Sequence, residues 1–353
     1  LATLFISHSG GNLFEGPRFI DENQIFVLDR AIKQDGFAST ATAHIEDRVL
    51  RMKRLVPVYL LHKLTQVWVF GANLLLWSIY TASLSGITAF LFFWIARRLH
   101  CTLPEAFFLG AIVCIGEQSV LSWRLLHGEG IGLLMLAISW LSLTLSKPGQ
   151  RNGLSQGAFV TFAVLASLSK ESFIMFIPAS IAYLVWHEKN MSKLKWQDCI
   201  KKNIPSISTL IIVFAIEMTL ILFILKRTYF HYSGWNGFDI GRLVAVIVQF
   251  FHPSRAWVVI AAIWAVAVAS RFFRQNKDDC RIEKTDLAIF GLLLGLIFGP
   301  QFILYMSSGM SGGGSVDFER YLVPSTIGLG ILCLAPVVVA RRLLSKAPRD
   351  TKR

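Results

Sequence analysis

Apolar residues along this chain fall in long blocks, not in the one-sided stripes of soluble helices. The blocks lie at roughly 73–95, 105–123, 128–146, 155–169, 172–186, 207–225, 243–270, 286–306 and 322–340. Most are about 15–25 residues long, the length that crosses a hydrocarbon layer as helix. The apolar character is continuous and does not alternate with period two, which argues against a transmembrane β-barrel. The pattern therefore predicts an all-α fold, a polytopic membrane helical bundle of about nine spans. The blocks 155–169 and 172–186 are short and separated by Lys170-Glu171, which predicts a tight hairpin. The block 243–270 is interrupted by His252-Pro253-Ser254-Arg255, and Pro253 removes a backbone donor. A surface helix followed by a shorter span is expected there.

The stretch before residue 73 has a different texture. Residues 7–54 are polar and rich in charge. They lead into Leu55–Leu61 and Trp68–Gly71, where apolar residues at helical spacing are interleaved with Tyr59, His62, Lys63 and Trp68. That is the pattern of a helix lying in the headgroup layer. A loop this long exceeds what a connection requires, and such loops usually carry function. The segment Leu1–Ile6 reads as the tail of an apolar helix, so a first span is expected to precede it. Three parts result: an outer loop with interfacial helices over 1–72, a transmembrane domain over 73–340 and a basic cytoplasmic tail over 341–353.

Composition agrees with the pattern. Of 353 residues, 54% are hydrophobic and 16% charged, against about 25% charged in soluble domains. A soluble enzyme, a disordered chain and a secreted disulfide scaffold are excluded. The net charge of +13 is informative through its placement. With the first 72 residues outside, the segments 97–104, 147–154, 187–206, 271–285 and 341–353 fall inside and hold 20 Lys and Arg. The short outer segments hold six: Arg124, Lys170, Lys226, Arg227, Arg242 and Arg320. Basic residues are retained on the cytoplasmic side during insertion. The expected location is a multi-pass integral membrane protein, most simply of a bacterial inner membrane, with a periplasmic active face and a cytoplasmic C-terminus. Membrane lipids are expected partners, with Lys189–Lys202 near anionic headgroups; nucleic acid is not. The five cysteines include no Cys-x-x-Cys pair, which suggests neither a zinc site nor a disulfide framework.

An ordered series of short motifs carries a resemblance. It begins with Phe19-Ile20-Asp21-Glu22-Asn23, then Arg54-Leu55-Val56-Pro57, then Phe70-Gly71-Ala72-Asn73 opening a span that ends Arg97-Arg98-Leu99. Gly128-Glu129-Gly130 opens another span, Ser169-Lys170-Glu171-Ser172 lies at a hairpin tip, and Glu319-Arg320-Tyr321-Leu322-Val323-Pro324 opens the last. As a set this resembles the GT-C superfamily of integral-membrane glycosyltransferases, which includes protein O-mannosyltransferases and lipid A aminoarabinose transferases. The resemblance implies transfer of a sugar from a polyprenyl phosphate carrier to an acceptor at the outer face, with an acidic residue of the first outer loop near the acceptor. The acceptor itself is unknown. A second acidic motif of the kind metal-dependent members use is not clear, so no cofactor is assigned and a divalent metal stays open.

Against that background several residues are candidates. Asp21, with Glu22 beside it, is the expected base, since a carboxylate in a water-poor cleft can be tuned to accept the acceptor's proton; the plainer reading is a pair capping the helix that follows. Arg320 and Tyr321 are expected to bind the donor phosphate, because a guanidinium forks onto phosphate oxygens and stabilises developing charge; the plainer reading is an interfacial anchor. Lys170 is a further donor-phosphate candidate, or else part of a water-exposed turn. His127, Glu129 and Glu171 are expected to line the acceptor side or the cleft. His127 with Glu129, one His and one Glu without further ligand spacing, is a weak metal ligand set. Glu117 and Glu217 fall within apolar blocks, Glu217 centrally, and intramembrane carboxylates mark function by default. On the alternative reading, a secondary transporter or lipid flippase, Glu217 would couple protons.

Overall fold

A computed structural model describes residues 23–99, 101–111, 125, 128–145, 153–192, 194–225, 240–241 and 243–244. Among the described residues all regular structure is helical, with no strand. The blocks 286–306 and 322–340, and nearly all of 243–270, lie outside them. So do the three residues Cys114, Cys280 and Cys333, whereas Cys101 and Cys199 are buried free thiols.

Three short helices form the outer layer: α1 (Asn23–Asp35), α2 (Phe37–Glu46) and α3 (Pro57–Phe70). A π-helical turn, Asp47–Arg51, prolongs α2. The longer helices are α4 (Leu74–Arg98), α5 (Leu103–Ala111), α6 (Gly128–Thr144), α7 (Gly153–Ser167), α8 (Phe176–Ser192) and α9 (Trp196–Thr219). A 3-10 turn, Glu171–Met175, joins α7 to α8, and a π turn, Leu220–Ile224, extends α9. Two helices, α4 and α9, are long and apolar enough to cross a membrane; α6 and α7 are shorter apolar helices.

Side-chain contacts fix how the helices run. Ser139 Oγ donates to Phe159 O at 2.8 Å, and Ser155 donates to Ser142 O, so α6 and α7 are an antiparallel hairpin. Lys170 reaches Glu129, and Trp140 reaches Ser180 and stacks on Tyr183, so the chain from 170 into α8 runs parallel to α6. Gln156 pairs with Asn203 and Ser167 with Glu217, so α7 and α9 are also parallel. One end of the bundle therefore gathers the start of α6, the 168–172 turn and Glu217. The other gathers Arg97 and Arg98, Glu188 and Lys202. Between them lies a core of Phe92, Leu136, Trp140, Phe159, Phe173, Ile177 and Leu210.

The outer layer packs on the first end. Ile25, Leu28, Ala41, Leu64, Val67, Trp77 and Leu125 form its core. Pro57 starts α3 at a position where its missing donor costs nothing. Gly71 ends it with φ 54°, and a Cβ there would lie 3.2 Å from Asp29 Oδ1, so only glycine fits both the turn and the neighbour. Asn73 then caps α4 by accepting from Leu76 N at 3.3 Å.

The face α3 turns outward is inverted for a helix in water. Lys63 is 1% exposed, while Leu61, Trp68 and Val69 are 49%, 64% and 59% exposed. The exposed apolar stripe continues onto α4 through Leu75, Leu76 and Ile79, and α9 carries another through Ile204, Ile211, Ile212 and Ile216. These faces suit lipid, the environment that the interleaved aromatics of 55–71 lead one to expect.

The structure differs from the expected connections at 187–206. This is no basic loop: α8 continues to Ser192 and α9 begins at Trp196, running on through Pro205. Charge sets where a helix leaves the apolar layer, not where it ends. The polar extensions are tied together instead, Lys202 to Glu188 at 2.7 Å and Lys189 over the Trp196 ring at 5.8 Å.

Candidate functional site

Four charged side chains meet where α3, α6 and the α7–α8 turn converge. The convergence begins with the backbone. Val58 N donates to Leu168 O at 3.2 Å, pinning the start of α3 to the end of α7. A Cβ on Gly128 would lie 2.8 Å from Ser169 O and 3.1 Å from Tyr59 Cγ, so glycine at the first position of α6 is what lets the three segments touch. Lys170 sits in extended backbone before the 3-10 turn, which aims consecutive side chains to different partners.

Lys170 Nζ lies 2.7 Å from Glu129 Oε1 in the first turn of α6, with the two side chains 11% and 1% exposed. Arg54 presents a fork to Glu171, Nε to Oε1 at 3.1 Å and Nη2 to Oε2 at 3.2 Å. Taking such charges out of water costs several kcal/mol per ion, and the cost is tolerable only when they are paired. Of the two readings of Lys170-Glu171, the water-exposed turn gives way to two shielded ion pairs. Arg54 is aimed by an irregular segment: the π turn Asp47–Arg51, then Lys53 at φ 53°, then a hydrogen bond from Arg54 N to Arg48 O at 3.0 Å. A non-glycine residue held at positive φ costs about 1–3 kcal/mol and persists where the surroundings enforce it.

Glu217 lies centrally in the apolar block 207–225, on a helix that begins at Trp196 and continues past Thr219 through the π turn to Ile224. There Ser167 donates to its Oε1 at 2.8 Å, three residues before Lys170. Its Oε2 is buried and has no hydrogen-bond partner. The carboxylate is thus paired across helices, at the end of α7 that leads to Lys170.

Behind the site, α2 and α3 each carry a half-buried histidine. His62 Nε2 lies 2.8 Å from the Tyr80 hydroxyl, and burial lowers its pKa to about 4. His44 is also lowered to about 4, first by burial and then by the nearby charges of Lys63 and Arg48, with Asp47 opposing. Both are neutral at physiological pH.

Of the expected site residues, the structure brings together Lys170, Glu129 and Glu171. Asp21, Glu22, His127, Arg320 and Tyr321 lie outside the described residues, as do Glu117 and Arg255. Sequence reading passed over Arg54 except as part of a motif, and gave Tyr59 no role. For a metal, the described residues supply no group of three or more His, Cys, Asp or Glu side chains able to hold one. Glu129 and Glu171 face an ammonium and a guanidinium, which is the setting of ion pairs.

Chemically, ammonium and guanidinium groups recognise phosphate oxygens as readily as carboxylates. A cluster of this composition can exchange a carboxylate contact for one to a phosphorylated ligand. Comparison with known protein families, with curated proteins and with solved structures found no match.

Proposed function

We propose that this chain is a membrane glycosyltransferase that moves a sugar from a polyprenyl phosphate carrier to an acceptor at the outer, periplasmic face. One observation supports the reading above the others: Arg54, Glu129, Lys170 and Glu171, scattered over more than a hundred positions, meet in two shielded ion pairs at one end of the bundle. Basic residues gather at the opposite end, including Arg97, Arg98, Lys195, Lys201 and Lys202, and retention of such residues in the cytoplasm would turn the charged cluster outward.

On this reading the reaction is a direct displacement at the anomeric carbon. The acceptor oxygen or nitrogen forms the new bond, the bond from that carbon to the phosphate oxygen breaks, and the lipid phosphate leaves with the electron pair. Asp21 takes the acceptor's proton, with Glu22 assisting. Arg320, Tyr321 and Lys170 stabilise the charge that grows on the phosphate, and Glu129 and Glu171 hold the cations in place. The test is release of polyprenyl phosphate from labelled donors by the chain in proteoliposomes. Asp21→Asn should insert and fold while losing nearly all transfer; undiminished transfer by that variant removes Asp21 from the base role.

A secondary transporter or lipid flippase is the second reading, and the observation favouring it is the buried Glu217 carboxylate with Oε2 unpartnered. The bond that Glu217 accepts from Ser167, across helices, is equally that of a structural tie. Counterflow of a labelled substrate in the same proteoliposomes separates the two.

A further inference from the structure

The helical corner at 187–206 carries lysines of two kinds. Lys202 is tied to Glu188 at 2.7 Å, and Lys189 lies over the Trp196 ring. Lys195, at the cap of α9, and Lys201, on its second turn, are exposed, and among the described residues neither side chain has an ion-pair or hydrogen-bond partner. About 9 Å of helix rise separates them, a gap that two flexible lysine stems can close from both sides. Asp198 stands between them in the chain, but it is exposed and pairs with neither. The corner as a whole holds five Lys against Glu188 and Asp198. The face of α9 beside Lys201 is apolar. Ile200 and Ile204 lie one turn apart on it, 47% and 51% exposed, and Ile211 continues it at 53%. Cys199, Asn203 and Leu210 hold the other face against the bundle. An unpaired ammonium on the border of an exposed isoleucine stripe is poorly matched to water. It matches the edge of a bilayer, where the lysine stem lies on hydrocarbon and its head reaches the headgroups.

We propose that this corner binds an anionic phospholipid, with the headgroup phosphate between Lys195 and Lys201 and an acyl chain along Ile200, Ile204 and Ile211. Charge selects the headgroup. Two unpaired ammonium groups call for net negative charge, which a phosphatidylglycerol supplies and a phosphatidylcholine, whose choline offsets its phosphate, does not. Each lysine near an anionic lipid surface adds to the attraction. The isoleucine stripe selects a lipid over a soluble anion, because only a lipid brings a chain to cover it. A soluble protein partner fits less well: α9 is long and apolar enough to cross a membrane, which sets the same stripe against hydrocarbon. Lys189 and Lys202 serve the fold of the corner and leave Lys195 and Lys201 to the lipid. The inference requires that α9 lie in a membrane and makes no use of sugar transfer, so it and the transferase reading can fail separately.

The test melts the purified, delipidated chain in phosphatidylcholine nanodiscs in which phosphatidylglycerol replaces a growing fraction of the lipid, at constant ionic strength and pH 7. A saturable rise in melting temperature is expected. Glycerol phosphate added in solution to discs of phosphatidylcholine alone should not reproduce it, since it brings the headgroup without the chain. Lys201→Gln and Lys195→Gln, both at exposed positions, should each raise the half-saturating fraction about fivefold, and the double variant should abolish the rise. Lys33→Gln, an exposed lysine of α1, should titrate like wild type. The proposal is overturned if phosphatidylglycerol raises the melt no more than phosphatidylcholine, if glycerol phosphate acts as well as the lipid, if Lys33→Gln weakens the response as much as Lys201→Gln, or if the Lys195 and Lys201 variants titrate like wild type.

Discussion

Glu129 and Lys170 stand 41 positions apart, yet Lys170 Nζ lies 2.7 Å from Glu129 Oε1 because the α6–α7 hairpin returns the chain to its own starting level. The pair is nearly closed to solvent, and breaking it from one side leaves a buried charge. Lys170→Met is expected to destabilise the fold by about 3–5 kcal/mol. The double variant Lys170→Met/Glu129→Gln should lose less than the sum of the two single losses, because the two side chains pair with each other. Thermal unfolding in nanodiscs measures the double variant and both singles; a double loss equal to the sum of the Lys170→Met and Glu129→Gln losses would show that the two side chains are not coupled.

Glycine spacing gives a sharper contrast. Gly128→Ala pushes a methyl to 2.8 Å from Ser169 O and should cost about 1–3 kcal/mol by forcing α6 away from the turn. Gly157→Ala meets nothing within 4 Å and should be neutral or stabilising by up to about 1 kcal/mol through helix propensity. Melting temperatures of the two variants, compared with wild type, check the difference in sign.

The half-buried histidines predict a pH dependence. Each has its ordinary value of 6.5 in the unfolded chain and about 4 in the folded one. Between those values the unfolded state binds more protons, so stability falls as pH falls from about 6.5 to about 4 and is insensitive to these groups outside that window. His62→Gln should remove roughly half of the slope contributed by the pair. Melts at several pH values read it directly, and an unchanged slope would show that His62 is not kept neutral.

The inverted face of α3 makes a prediction about surroundings. Trp68 is 64% exposed on a helix that buries its lysine. In vesicles of brominated phosphatidylcholine its emission should be quenched, and Trp68→Phe should remove part of the total quenching. A rise in fractional quenching on removing Trp68 would place that side chain in water.

Much of the helical layout was legible in the sequence, because apolar blocks and basic connectors report the layer a segment occupies. The starts of α4 and α6 and the hairpin at 170 fall where the pattern sets them. The missed parts have a common cause. Helix ends at 187–206 extend beyond the apolar blocks, where hydropathy carries no signal. Lys170 and Glu171 were legible as candidates but their burial was not, since it depends on Glu129 and Arg54 arriving from distant segments. Arg54 owes its aim to a π turn, which no periodicity announces.

The transferase account is tested most directly by donor-dependent rates of sugar transfer in proteoliposomes, measured for wild type and for the Lys170→Met/Glu129→Gln pair over a series of polyprenyl phosphate sugars. Wild type should transfer at least one sugar, and the neutral pair should raise the donor KM about tenfold or more with the acceptor KM nearly unchanged. Absence of transfer with every donor, or an unaltered donor KM in the folded double variant, would contradict it.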